Sequence, residues 1–443
     1  MPPEIDETHQ TELRSCVSSA NDLESDFPIQ NLPFGIYRRR GKEGRARGGV
    51  AIGDCILDLR SAVDRGWFEG KAERAARAAS RSRLNEFLTL GPESWSVLRL
   101  ALSKLLREGS APADIHDALV MQRDAEMLVP VDVGDFTDFA ASYDHAFNSG
   151  SLVRPDQPIF PNYFHLPIGY HGRSSSIQIS GTPCMRPWGQ TPPSSANAAA
   201  TFEPSKRLDY ELELGALVAG WAPRTPRLPL ADAGRQLFGF VLLNDWSARD
   251  IQRWESTPLG PFLAKSFLTT ISPWIVTSAA LAPFRTRRRV RQQDAPPLLP
   301  FLEDPTDSAH GAFNITVSAA ICSAEMRHKG FPAFTVSRGN SQNLYWSFAQ
   351  LLTHHASNGS VFRSGDIIGS GTISSSDRRS SGCLMEVTAN AHEPISLPSG
   401  EMRGYLEDGD EVIFTGRCVQ EGARPIGFGE CRGVVTSSTA AAQ

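Results

Sequence analysis

The chain has 443 residues, 40% of them hydrophobic and 21% charged, with a formal net charge of −5. That is the balance of an ordinary soluble globular protein, long enough for a large core and two domains. The acidic balance gives no sign of nucleic-acid binding, and no apolar run reaches membrane-spanning length, so neither nucleic acid nor a membrane is an expected partner.

In chain order, Met1 to Asp26 is polar and acidic and lacks a hydrophobic signal core, so residues 1–26 read as a flexible tail. From Phe34 to Leu59 short apolar runs alternate with turns, which predicts a small β unit. Ser82–Leu90 and Trp95–Arg107 carry apolar residues at helical spacing. Met127 to Val131 closes this first region, giving an expected front domain over 27–127 and a second over 128–437, with a short tail at 438–443. The second region is rich in Gly, Pro and short β runs such as Phe238–Leu243, Ile367–Gly369 and Glu411–Phe414, with a helix expected over Leu344–His355. It reads as mostly antiparallel β with long working loops. Thr191–Ala200 and Arg285–Pro300 read as exposed loops, and the basic runs at Arg38–Arg40 and Arg285–Arg291 as solvated. Cys16, Cys55, Cys184, Cys322, Cys383, Cys418 and Cys431 form no CxxC pair. Free thiols in a reducing cytosol are therefore expected, and a zinc site is not.

The chemistry gathers on acids. In Leu208-Asp209-Tyr210-Glu211-Leu212-Glu213, a single strand puts Asp209, Glu211 and Glu213 on one face and Leu208, Tyr210 and Leu212 on the other. Either water screens that charge or a cation neutralises it. Asp138 and the strand-end Asp245 are further hard-cation ligands in waiting. Carboxylates without clustered Cys or His favour calcium, magnesium or manganese. His145 is the natural base near neutral pH. Glu386, read as a buried-strand acid, is of the right kind to orient it. Arg249 and Gln252 share a helical face, and Lys265 lies between apolar neighbours, where a lysine needs a partner. Such donors suit a developing oxyanion or enolate. Two features are set aside. His354-His355 reads as helix-end packing, and Gly369-Ser370-Gly371-Thr372 lacks the flanking elements of a nucleotide loop.

The stretches Gly134–Phe139, Leu166–Arg173, Asn244–Gln252, Gly260–Leu263 and Gly371–Ser374 strongly resemble the fumarylacetoacetate hydrolase family, as does Phe27–Gly35 at the front. The resemblance covers nearly the whole chain. It implies a mainly β (α+β) protein, with a small N-terminal SH3-like β barrel followed by a mixed β-sandwich roll. It also implies a homodimer and a bound Ca2+ or Mg2+, and the free thiols place the protein in the cytoplasm as an expectation. Asp138, Glu211, Glu213 and Asp245 match the family's metal ligands, and Lys265 and Thr269 match positions beside a second, magnesium-type site. His145 matches the base and Glu386 its orienter. Arg154, Tyr170, Gln252 and Thr372 match substrate-contacting positions, and Arg249 matches a donor at the reacting carbonyl. Asp209 matches no ligand and is expected in a supporting role.

The implied reaction is hydrolysis of a carbon–carbon bond in a β-diketone, by default fumarylacetoacetate, the last step of tyrosine and phenylalanine breakdown. Two positions depart from the family. Ala140 and Ser256 stand where it carries tyrosines, and Tyr143 is a candidate replacement for the first. These changes motivate an alternative: a family member acting on another diketone or enolate in a biosynthetic pathway, as an acylpyruvate hydrolase, a decarboxylase or a carbon–carbon bond-forming enzyme.

Overall fold

The structure is a computed structural model that describes residues 4–41, 44–193, 195, 197–220 and 227–438. Its front region folds as a five-stranded antiparallel sheet, ordered Leu119–Met121, Cys55–Asp58, Arg47–Ile52, Phe34–Arg39, Ala125–Leu128. Helices Leu59–Asp64, Gly70–Ala79, Asn85–Thr89 and Gly91–Leu105 fill the connection before the fourth strand. Asn85–Thr89 lies inside the expected Ser82–Leu90 stretch, and Gly91–Leu105 overlaps Trp95–Arg107 but starts a turn earlier. The Gly70 helix was not expected, because its buried face is made only of alanines, a weak apolar signal.

Behind it, an eight-stranded mixed sheet runs Gly169–Gly172, Phe136–Phe139, Ile367–Gly369, Leu212–Val218, Leu237–Asp245, Thr269–Ile271, Ile177–Ile179, with Val276–Thr277 paired beside it on Leu237–Asp245. A five-stranded sheet of Phe334–Asn340, Thr316–Cys322, Glu411–Cys418, Ile426–Thr436 and Cys184–Met185 covers one of its faces. Alternation explains how one strand serves two cores. Phe240 and Leu242 pack with Val317, Phe414 and Phe428 of the second sheet, whereas Val241 and Leu243 pack with Phe34, Ile36 and Val50 of the front unit, which Phe238 joins because the pairing register shifts beside it. A strand covered on both faces reads as an unbroken apolar run, as Leu237–Leu243 does. Each such side chain contributes roughly 1.5–3 kcal/mol on burial.

Three expectations need correction. First, the described part of the expected flexible tail is packed. Thr8, His9, Ser15, Val17 and Ala20 are buried. Thr8 Oγ1 accepts from Arg99 Nε at 2.9 Å, and His9 Nε2 lies 2.8 Å from the carbonyl of Ala279. The segment is polar because its side chains satisfy its own backbone, as in the Asp6–His9 capping box. Residues 439–443 of the expected C-terminal tail lie outside the described residues. Second, Leu208–Glu213 is not one strand. Leu208–Asp209 pairs with Ser247–Ala248, and a separate strand begins at Leu212. Third, Glu386 lies on the short helix Leu384–Val387, not on a strand.

Candidate active site

The sheet order sets the site. Asp138, Glu213 and Asp245 stand at one end of three strands, with Ile367–Gly369 between the first two. In register, Gly369 lies opposite Asp138. A Cβ at Gly369 would come within 2.4 Å of Asp138 Oδ1 and 3.1 Å of Glu213 Oε2. The missing side chain therefore lets the two carboxylates meet across the intervening strand. The Gly371 N–H then donates to both, at 3.0 and 3.1 Å. Gly371 has a φ of +69°, and a Cβ there would strike the Phe139 carbonyl. The glycine run that fails as a nucleotide loop is thus the backbone floor of the acidic cluster.

Asp138, Glu211, Glu213 and Asp245 are all buried and bring ligand atoms within 4.8 Å of one another. Lys265 donates to Glu211 and, at 2.9 Å, to Asp245. Thr269 Oγ1 and Tyr170 Oη donate to Asp245 at 2.9 and 2.6 Å. Burial and the nearby Asp245 carboxylate push Asp138 up to about 7. Burial and Asp138 hold Glu213 well above the usual carboxylate range. Burial also opposes ionisation of Glu211, but Lys265 and Arg249 outweigh it and keep that group low. So Glu211 is paired into ionisation by cations, whereas Asp138 and Glu213 are crowded toward neutrality.

That donor set fits a divalent hard cation. It is all oxygen, its four carboxylates once ionised carry more negative charge than Lys265 and Arg249 balance, and Glu213 Oε1 is buried with no partner among the described residues. Lys265 lies against two of these carboxylates. Burial disfavours its charge, but Asp245 and Glu211 outweigh burial and raise its pKa. An ammonium has no lone pair, so the Lys265 Nζ serves here as a charge partner of the carboxylates.

Arg249 opens the Arg249–Glu255 helix. It pairs with Glu211 through Nη1 at 2.8 Å and with Asp209 through Nε at 2.9 Å, and Nη1 also reaches Gln252 Oε1 at 3.2 Å. Arg249 Nη2 and Thr372 Oγ1 are buried and unpartnered among the described residues, leaving donors for a bound molecule. Asp209 is outside the acidic cluster. Its oxygens accept from the backbone N–H groups of Leu384 and Met385 at 2.8 and 3.1 Å. It ties Arg249 to the helix that carries Glu386.

His145 sits in the first turn of the Tyr143–Val153 helix, whose N-cap Ser142 accepts from the His145 N–H. Its Nδ1 donates to Glu386 Oε2 at 2.7 Å. This bond fixes the tautomer and leaves Nε2 as the basic atom. Burial depresses the imidazole pKa, but the Glu386 carboxylate outweighs it and the net shift is upward, with Glu211 adding to the rise and Arg249 opposing it. Burial raises Glu386, yet its partners hold it below the usual range. Those partners include Asn148 and Ser374, at 3.0 and 2.8 Å. Sequence reasoning missed both, although Asn148 lies one turn after His145 and Ser374 closes the Gly371–Ser374 motif.

Some expected residues are not gathered. Arg154 is exposed at the end of its helix and stacks on Phe160 at 4.6 Å. Tyr143 joins an aromatic cluster with Phe147, Tyr163, Phe164 and Tyr345, so it is used in packing. Ser256 Oγ donates to the Gln252 carbonyl at 2.6 Å. His355 is a packing residue, its Nε2 2.9 Å from Thr137 Oγ1.

Two family models match the chain: fumarylacetoacetase N-terminal over residues 30–130 and fumarylacetoacetate (FAA) hydrolase C-terminal over 136–436. The fumarylacetoacetase of Oryza sativa subsp. japonica is 43% identical over 97% of this chain and 98% of its own length. This chain belongs to the fumarylacetoacetase family. Those of Rattus norvegicus and Homo sapiens are 42% and 41% identical over 93% of this chain and 96% of their own. Both halves of the fumarylacetoacetase pattern are present, so the acidic cluster and the His145–Glu386 pair are read within one family framework.

Proposed function

We propose that this protein hydrolyses the carbon–carbon bond of fumarylacetoacetate to give fumarate and acetoacetate. The observation that carries this reading is a histidine–carboxylate pair within electrostatic reach of a buried four-carboxylate cluster. Asp138, Glu211, Glu213 and Asp245 would hold the divalent cation. When bound, that cation polarises the diketone oxygens and offsets developing negative charge. We assign the ion as Mg2+ or Ca2+, with Mn2+ compatible with the same oxygen donors.

His145 Nε2 takes a proton from water while Glu386 holds the ring and the charge it acquires. Hydroxide adds to a substrate carbonyl carbon. The resulting oxyanion re-forms a C=O as the adjacent carbon–carbon bond breaks. The bonding pair leaves as an enolate, and the proton held by His145 returns to its carbon. Arg249, with an unpartnered Nη2, and Gln252 on the same helix supply donors where that charge appears. Lys265 keeps Glu211 ionised and pairs with Asp245. Tyr170 and Thr372 contact substrate. Arg154 reaches it only after leaving Phe160. Ala140 and Ser256 open the pocket and bear on substrate fit.

The finer organisation follows the same reading: an SH3-like front barrel, a homodimer, and a cytoplasmic place in tyrosine and phenylalanine catabolism. Seven free cysteines suit a reducing compartment. The test is loss of diketone absorbance when the Mg2+-loaded protein meets fumarylacetoacetate, with His145→Ala as control. Turnover no faster than that control would reject the reading.

A further inference from the structure

The turn that follows the Glu386 helix is held in an unfavourable backbone shape. Ala389, Asn390 and Ala391 have φ of +48°, +59° and +67°. Among the described residues one other non-glycine residue, Leu32, has a positive φ. A side chain in this region brings its Cβ against the following carbonyl, so each of the three residues costs stability. Such a run persists only where its surroundings over-determine it.

The surroundings do so here. The Asn390 N–H donates to the Met385 carbonyl at 2.7 Å, and the Ala391 N–H to Thr388 Oγ1 at 3.1 Å. Asn390 Oδ1 accepts twice, from Tyr405 Oη at 2.6 Å and from Arg207 Nη1 at 3.1 Å. Arg207 also lies over the Tyr405 ring, at 5.7 Å. Gly404 closes against the turn, where a Cβ would come within 2.5 Å of the Ala391 Cβ.

These contacts lead to the catalytic pair. The Tyr405 ring packs with Cys383 and Met385 of the Glu386 segment, and with Leu152 on the helix that carries His145. The Arg207 carbonyl accepts the Arg249 N–H at 2.9 Å. Arg207 thus holds Arg249 through its main chain and the Asn390 turn through its guanidinium. The Glu386 helix, Leu384–Val387, has only four residues. A helix that short does not hold its own shape and depends on what its ends are tied to.

We propose that Asn390, clamped by Tyr405 and Arg207, is a positioning residue: it holds the left-handed turn closed and so fixes the Glu386 carboxylate against His145. This rests on the proposed function, because Asn390 acts through the base pair and not on substrate.

Asn390→Gly separates the clamp from the strain, since glycine adopts positive φ freely but offers no acceptor. It should unfold cooperatively and lower kcat about tenfold or more, with KM nearly constant. Asn390→Asp keeps an acceptor and tolerates the same φ, and should retain most of the activity. Tyr405→Phe keeps the ring and its packing. It should lower kcat in the same direction, and it decides the matter if Asn390→Gly does not fold. A second readout needs no substrate. The downfield proton NMR signal of the His145 Nδ1–H, identified by its loss in His145→Ala, should be sharp in the unaltered protein and in Asn390→Asp. In Asn390→Gly it should be broadened by exchange with water. A folded Asn390→Gly with unchanged kcat and an unchanged signal overturns the proposal, as does an equal loss in Asn390→Asp. Should fumarylacetoacetate not be turned over, the proposed function fails, and the signal alone still decides whether the clamp holds the pair.

Discussion

His145 and Glu386, 241 positions apart in the chain, meet at 2.7 Å, and every other contact of that carboxylate serves the same bond. Asn148, Ser374 and the Cys383 thiol all donate to Glu386. They keep it ionised in a buried place, so it fixes the imidazole with Nε2 free.

That pair makes a pH prediction. Burial lowers the His145 pKa, and Glu386 more than reverses this. The base works when neutral, so activity should rise as pH passes upward through the raised pKa. Glu386→Gln removes the raising charge. The acid limb should then move to lower pH while kcat falls by roughly 10²-fold. A pH–rate profile checks both. A limb that stays in place argues against Glu386 as the orienter.

Gly369 makes a steric prediction. Its Cβ position is occupied by the Asp138 and Glu213 carboxylates. Gly369→Ala should lower divalent-cation affinity about tenfold or more with the thermal unfolding midpoint little changed, because side-chain ends and not backbone must yield on that side. Unaltered affinity by calorimetry contradicts the ligand pair.

Cation binding should release protons. Asp138 is lifted to about 7 by burial and Asp245, and Glu213 stands well above its ordinary range. A cation must displace those protons. Affinity should therefore climb as pH rises through neutrality and fall below it. Titrations in buffers of different ionisation enthalpy read the release directly. A pH-independent affinity between about 6 and 8 would count against this charge assignment.

Asp209 is a stability prediction. It holds Arg249 and two backbone N–H groups while fully buried. Asp209→Ala strands these donors and leaves Arg249 half-paired. Urea unfolding should show a loss of about 3 kcal/mol or more. A loss below about 1 kcal/mol contradicts its bridging role.

The individual acids were legible because strand ends and apolar runs are local features. The apolar run Phe238–Leu243 announces a strand, and Asp245 is its exit. What was not legible depends on contacts between distant segments. The expected single strand breaks because Glu211 N takes Asn244 Oδ1 as its partner and Asp209 turns to the Leu384 helix. The Gly369–Gly371 run shows its use only when the neighbouring strands bring Asp138 and Glu213 over it. Arg285–Arg291 looked solvated because Asp144, Asp307, Tyr345 and Trp346, its partners, lie far off in the chain.

The central claim is that His145, held by Glu386 beside the carboxylate cluster, drives hydrolysis of fumarylacetoacetate. Its most direct test is product analysis after incubation of the Mg2+-loaded protein with fumarylacetoacetate. Equal amounts of fumarate and acetoacetate, lost in His145→Ala at unchanged cation content, are predicted. Product formation in His145→Ala equal to that of the unaltered protein, or none in either, would contradict it.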